Sequence, residues 1–214
     1  TWDIGITFSK NVNKIVELSP ENEKLVLVMD HIANVTAYVG DKFNDLWVSD
    51  FSRDDQGRII VDNSGIPLIT DKEYYAGNAN PDWRAGILNT ISFKDFTLSA
   101  LIDIRQGGVI LSHTEALLSS MGCSERTLAN READFIVPNS VFEDGTPNNI
   151  PISAETYWKV VGGGDPVGRL FTYDASNIRL RELSLTYTLP KRLVDKSFIK
   201  EASFSLLGRN LFFI

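Results

Sequence analysis

Cysteine is nearly absent from this chain: there is one, Cys123, in 214 residues. A lone thiol excludes an internal disulfide framework. Met121-Gly122-Cys123-Ser124 offers no neighbouring histidine or second thiol, so Cys123 reads as a plain structural residue. Histidine is scarce too. His31 and His113 lie far apart and in no metal-ligand spacing, which leaves them as ordinary loop or wall residues. Positive charge is in deficit, with 21 Lys and Arg against 28 Asp and Glu and a net charge of −7. Such a chain lacks the basic face that a nucleic-acid backbone requires. Long apolar runs are missing as well. No stretch approaches the roughly 20 apolar residues of a transmembrane helix, although 43% of the residues are hydrophobic. A transmembrane barrel would escape that search, because it carries its apolar surface at alternate positions.

Chemistry-bearing motifs are equally thin. Asp54, Asp55 and Asp62 with Gly57 loosely match a calcium loop, but the EF-hand spacing is absent. A solvated turn is the plainer reading. Gly162-Gly163-Gly164 lacks the Gly-Lys-Ser ending of a phosphate loop and reads as a flexible loop. No paired acid and base stands out, so the sequence names no catalytic residue, metal site or cofactor.

What the chain does have is alternation. Trp83, Ala85, Ile87, Asn89, Ile91 and Phe93 share one face of a strand, with Arg84, Gly86, Leu88, Thr90 and Ser92 opposite. Lys94-Asp95 makes a tight turn. Phe96, Leu98, Ala100, Ile102 and Ile104 then alternate with Thr97, Ser99, Leu101, Asp103 and Arg105. Each run is about 10 residues, the length of a tilted strand that crosses a bilayer. Trp2, Ile4, Ile6 and Phe8 predict another such strand, running on through Ile15 toward Leu18. A fourth spans Asn177 to Leu189 with a slip of phase. Ile178 and Leu180 are even, Leu183, Leu185 and Tyr187 odd, which predicts a bulge near Arg181-Glu182. Ala202, Phe204 and Leu206 open a fifth, running to Ile214.

Between these strands, Ser19 to about Pro81 reads as irregular, apart from a β-like piece at Arg58-Ile59-Ile60-Val61. Gln106 to about Ser176 reads as helical between Thr114 and Phe135, with Glu115, Leu117, Leu118 and Met121 in a first helix and Thr127, Leu128 and Arg131 opening a second short one after Gly122, and as loop beyond. In an up-and-down meander both long connections fall at one end and both short ones at the other. Outer-membrane barrels have that asymmetry, and a soluble sandwich has less reason for it. Trp2, Phe8, Trp83, Phe93, Phe96 and Tyr187 lie on the apolar faces, several near strand ends, as in interfacial girdles. They would equally suit the core of a sandwich. The chain opens on Thr1 and closes in Leu211-Phe212-Phe213-Ile214. It is expected to be an internal piece of a longer protein, so a missing targeting segment says nothing about location.

Several segments, in order, carry a family resemblance. They are Trp2-Asp3 through Phe8-Ser9-Lys10-Asn11 with Ile15-Val16-Glu17-Leu18; Gly77-Asn78-Ala79-Asn80-Pro81-Asp82-Trp83; and Phe96-Thr97-Leu98-Ser99 through Asp103-Ile104-Arg105-Gln106-Gly107-Gly108. Further along come Thr127-Leu128-Ala129-Asn130-Arg131-Glu132, Tyr157-Trp158, Tyr173-Asp174-Ala175-Ser176-Asn177-Ile178-Arg179-Leu180-Arg181-Glu182-Leu183 and Gly208-Arg209-Asn210-Leu211. Together they resemble the SusC/RagA family of TonB-linked (TonB-dependent) outer-membrane transporters over essentially the whole chain. The stretches between Gly108 and Gly122 and between Val137 and Gly164 match less well.

The resemblance implies an all-β fold: antiparallel up-and-down strands forming part of a large transmembrane β-barrel, with long extracellular loops containing short helices. Residues 1–214 would supply about five strands of the receptor barrel, with the plug, the TonB box and the last strand outside them. The implied partners are a SusD-like lipoprotein, TonB, outer-membrane lipid and an oligosaccharide or peptide substrate, in a Gram-negative bacterium of the Bacteroidota kind. Loop aromatics are the candidates for ligand contact, because flat rings stack on sugars and peptide side chains. They are Trp47, Tyr74, Tyr75, Tyr157, Trp158 and Tyr173, with Phe171 beside them; packing within the loops or against the lipoprotein is the plainer role for each. Arg179, Arg181 and Glu182 are expected to face the lumen and contact the plug, since an arginine facing mid-membrane lipid costs about 2–4 kcal/mol. A soluble β-rich carbohydrate-binding module is the competing reading, and a secreted β-fold hydrolase a third.

Overall fold

The computed structural model describes residues 1–19, 22–194 and 200–214. In chain order the strands begin with β1 (Trp2–Ser9), β2 (Lys24–Met29), β3 (Ala33–Tyr38), β4 (Asp45–Val48), β5 (Ile59–Val61) and β6 (Tyr74–Asn78). Then come β7 (Trp83–Phe93), β8 (Phe96–Gln106), β9 (Val109–Leu111) and helix α1 (His113–Ser120). The remainder is β10 (Ser140–Phe142), α2 (Ala154–Gly162), β11 (Thr172–Asp174), β12 (Asn177–Thr188), α3 (Lys191–Val194) and β13 (Ser203–Phe213). Two compact units result. One comprises Thr1–Val12, Pro81–Gly108 and Ala175–Ile214, and the other Asn13–Asn80 and Val109–Asp174.

The first unit is a single five-stranded sheet of order β1-β7-β8-β12-β13. Every neighbour is antiparallel, and four of the strands are 11 or 12 residues long. Pairing aligns the alternation of each strand with that of the next. Ile6 lies opposite Ile87, Ile87 opposite Ile102, Ile102 opposite Leu180, and Leu180 opposite Phe212. Two rows further, Trp2, Ile91, Leu98, Leu185 and Leu206 line up in the same way. One face is therefore apolar from edge to edge, and it is bare: Ile6 is 71%, Phe204 71% and Leu206 77% exposed. Asn89 interrupts the apolar face, and Trp2 Nε1 satisfies it by donating to its side-chain oxygen at 2.9 Å.

The predicted bulge is present. Register shifts on both sides of β12 between Leu180 and Glu182: against β8 Arg181 is the extra residue, and against β13 it faces two residues, Asn210 and Leu211. The extra residue restores phase, so Ile178, Leu180, Leu183 and Leu185 share the apolar face despite their mixed parity. The Lys94-Asp95 turn is also as expected, with Lys94 at a positive φ of 54°. Both long connections leave the sheet at the end where Ser9, Arg84, Arg105 and Asn177 meet, and both short ones lie at the other.

Three sequence expectations fail. β1 stops at Ser9 and does not run on to Leu18; Ile15 instead pairs its backbone with Asp41 and Gly40. The stretch from Ser19 to Pro81 is not irregular. It holds an antiparallel sheet of order β2-β3-β4-β6, with Pro20 and Glu21 outside the described residues. The second insertion holds the two expected short helical pieces, α1 and, after Gly122, a 3-10 turn at Glu125–Leu128, but it is helical again in α2, where only loop was expected. Part of the expected connector between the last two strands, 195–199, lies outside the described residues.

The second unit is built by its two insertions together. Parallel pairing of β5 with β10 joins them. So does a core of Ile32, Phe51, Ala116, Val161, Val167 and Phe171. Gly168 marks a close approach between the two insertions: a Cβ there would lie 2.5 Å from the Ile32 carbonyl oxygen and 2.7 Å from Val48 Cβ. Gly168→Ala in the full-length protein should therefore destabilise this unit by about 1–3 kcal/mol through overpacking. Hydrogen exchange across Asn13–Asn80 should accelerate, with the five-stranded sheet unchanged; equal protection in variant and parent would refute the tight contact.

Candidate functional site

Ser49 and Asp50 follow directly on β4 and hold the segment Pro166–Arg169 of the other insertion. Ser49 Oγ donates to the Pro166 carbonyl at 2.6 Å and accepts from Gly168 N–H at 3.0 Å. Asp50 is 10% exposed at its side chain and accepts from Arg169 Nη1 at 2.5 Å. That bond raises the Arg169 pKa above its ordinary value. The same guanidinium lies 4.4 Å over the Tyr74 ring. Tyr74 is thus bound to a structural clamp, with one face taken.

Trp47 and Tyr75 come together on adjacent strands. Trp47 is the middle ring of three, 5.2 Å from Tyr38 and 5.4 Å from Tyr75. Tyr75 donates its hydroxyl to buried Asp45 at 3.1 Å, and Asn78 Nδ2 donates to the same oxygen at 2.7 Å. The edge of this stack opens into a cleft of about 380 Å³ lined by Gly40, Asp41, Lys42, Asp45, Trp47 and Tyr75. An exposed phenol beside a carboxylate and a lysine can stack on a ring and hydrogen-bond its substituents. The sequence reading missed Tyr38, because its place in the stack depends on the β2-β3-β4 pairing and no local signal shows it.

Tyr157 and Trp158 separate. Tyr157 packs between Phe135 and Trp158 at 5.5 and 5.2 Å, and burial pushes its phenol pKa up. It is a core residue. Trp158 also lines a cleft of about 470 Å³ with Ser119, Arg131, Ser153, Glu155 and Lys159 around the end of α1 and the start of α2. Ser153 caps α2 by accepting from Thr156 N–H at 3.1 Å. Lys159 donates to Glu155 at 2.6 Å and thereby lowers the Glu155 pKa. Tyr173 is partly exposed, and its hydroxyl accepts from Arg126 Nη2 at 2.9 Å. Phe171 is fully buried. Asp54 closes its turn with Arg58 at 2.7 Å and accepts from Gln56 and Arg58 N–H groups, as the solvated-turn reading requires. Among the described residues no three His, Cys, Asp or Glu side chains gather into a metal-sized group.

Arg179 and Glu182 stand on the polar face of the five-stranded sheet, opposite Asp103 and Leu101. The bulge residue Arg181 reaches Asp103 at 3.5 Å, and Glu182 pairs with Arg209 at 3.3 Å. Arg209 escaped the sequence reading, since the irregular pairing at Asn210-Leu211 hides its face.

No family model matches the chain. The TonB-dependent receptor P3 of Formosa agariphila is 23% identical over 99% of this chain and 22% of its own length. TonB-dependent receptor P26 of the same organism is 26% identical over 98% and 22%. The chain thus spans about a fifth of the curated relatives it matches. Among solved structures, the RagAB peptide transporter superposes on the whole chain with a TM-score of 0.62 at 19% identity, using 24% of that chain. The RagAB peptide importer in its closed-closed state gives 0.64 at 18%, also using 24% of that chain. In sequence and fold the chain resembles part of TonB-dependent receptors. The likeness to the SusC/RagA kind, first carried by its motifs, recurs in these solved neighbours. Both relatives are named receptors, and both neighbours are described as a transporter or importer.

The two aromatic roles separate by substitution. Tyr157→Ala should cost about 3 kcal/mol, as for other large core rings, and Tyr173→Ala within about 1 kcal/mol. Hydrogen exchange in α2 of the full-length protein reads the difference. Comparable losses would return Tyr157 to the exposed candidates.

Proposed function

We propose that this chain is a wall segment of a TonB-dependent outer-membrane transporter that takes up oligomeric nutrients, peptides or glycans, with a SusD-like lipoprotein. One observation carries the reading: five long strands present a continuous, uncovered apolar face backed by a polar one. A sandwich would place a second sheet on that apolar face, and the face is exposed instead. Eleven residues at about 3.4 Å each, tilted about 45°, rise about 26 Å, close to the roughly 25 Å height of an outer-membrane barrel belt. Aromatics mark both rims. Phe8 and Trp83 meet at 5.8 Å at one end, and Phe96 and Tyr187 at 4.8 Å at the other.

On this reading the long-loop end is extracellular. The second unit is then the part that meets ligand and lipoprotein, with Trp47, Tyr75 and Trp158 as the aromatic contacts that open onto clefts. Arg181 and Glu182 face the lumen. RagAB's description as a peptide transporter supports an oligomeric cargo, and a single-layer sheet argues against a soluble carbohydrate-binding module.

Paired substitutions in the full-length receptor test the wall. Ile102 and Ser99 lie on opposite faces of β8, three residues apart. Ile102→Arg should cost about 2–4 kcal/mol of folding stability in lipid vesicles, and Ser99→Arg about 1 kcal/mol or less. Urea titration of the heat-modifiable gel band reads both. Equal tolerance of the two would sink the membrane reading.

A further inference from the structure

We propose that the loop-end third of the polar face is a seat for the carboxylates of an acidic peptide. The inference rests on the transporter reading above, with this face turned to the lumen. Strand register gathers the patch. Arg84 lies opposite Arg105, Arg179 opposite Asp103, and Arg209 opposite Glu182. Arg181, thrown out of register by the bulge, joins them through Asp103. Arg84, Arg179, Arg181 and Arg209 therefore share a patch with Asp103 and Glu182, and each of these carboxylates is already engaged, Asp103 by Arg181 and Glu182 by Arg209; Arg105 and Asp82, at the same end, have partners of their own.

The surplus is local. The chain as a whole carries −7, so the positive patch is a placement of charge and not an average. Arg179 is also incompletely satisfied: its Nε is buried without a hydrogen-bond partner, while its guanidinium lies 5.5 Å over the Phe213 ring. Guanidinium forks match carboxylates in shape and charge. Toward the short-turn end the same face changes character. Thr90 and Ser99 pair at 3.2 Å, Ser92 and Thr97 at 3.1 Å, and Thr186 and Ser205 at 2.9 Å. Those hydroxyls satisfy one another across the strands. The demand for an anion is confined to the loop end.

The chemistry of the patch favours a peptide over an acidic glycan. A sugar is commonly held on an open aromatic ring, and the ring on this part of the face, Phe213, already carries Arg179. Beside the arginines stand Leu88 and Leu101, paired across β7 and β8. Carboxylates interspersed with aliphatic side chains suit that mixture.

The test uses full-length receptor in detergent and fluorescence anisotropy with fluorescein-labelled hexaglutamate and hexaglutamine, with oligogalacturonate as competitor. Hexaglutamate should bind about tenfold or more tighter than hexaglutamine at low salt, and added salt should erode the preference. Combined Arg84→Gln and Arg179→Gln should remove most of it, and the corresponding pair of Lys substitutions should retain more. Equal binding of the two peptides, or a preference untouched by the Gln pair, overturns the proposal. Oligogalacturonate binding as tightly as hexaglutamate also overturns it, in favour of an acidic glycan. Heat-modifiable gel mobility, run on each sample, reports the barrel separately. Its absence in the parent protein refutes the transporter reading, whereas a heat-modifiable barrel without acid preference refutes this inference alone.

Discussion

Backbone register across five antiparallel strands is the constraint on which the rest depends. A strand offers two faces that alternate with period two, and a slip of one residue exchanges them. Four pairings must therefore agree for the apolar residues of all five strands to meet on one side. They do, even at β12, where the sequence is out of phase with itself. Arg181 absorbs the discrepancy as a bulge. Were Arg181 held in regular alternation instead, Leu183 and Leu185 would fall on the face that carries Asp103 and Arg84, and Glu182 would move to the apolar side. The bulge thus protects the separation of faces, and it also frees a guanidinium to reach across to Asp103.

The second unit solves a different problem. Its strands are three to six residues long, too short to hold a fold by sheet pairing alone. Long-range packing supplies what pairing does not. The Ser49-Asp50 clamp reaches more than a hundred residues along the chain to Pro166 and Arg169. Gly162 lets α2 lie directly on α1, since a Cβ there would collide with the Ala116 carbonyl. Small residues at both sites permit backbone contact, and buried valines and phenylalanine fill the space around it.

This contrast explains which parts were legible in the sequence. The five long strands declare themselves, because ten residues of alternation are hard to imitate by chance, and the phase slip located the bulge within a residue. The second unit does not declare itself. β4 alternates over only four residues, and β2 mixes Leu25, Val26, Leu27 and Val28 without a polar face. α2 carried usable signals, an N-cap serine at 153 and Glu155 in the first turn. The triple glycine at its end drew attention to the break and away from the helix before it. Among the aromatic candidates, residue type was a fair guide and location was not. Tyr157 and Phe171 proved to be core, and Tyr38, the partner that completes the Trp47 stack, is reached only through strand pairing.

The polar face shows why charge has to be read by position. Counted along the chain, acid exceeds base, and nothing suggests a seat for anions. Folded into register, Arg84, Arg179, Arg181 and Arg209 fall into neighbouring rows, and Asp103 and Glu182 are too few to neutralise them. Hydroxyl residues occupy the remaining rows and pair among themselves. Clustered like charges repel, which costs stability in the sheet alone. An arrangement that holds them together on one face therefore implies compensation from outside the sheet: solvent, a neighbouring wall or a ligand with negative charge. Of these, only the last exploits the geometry of a guanidinium fork, and it places the selective chemistry of the wall at the end where the long loops leave it.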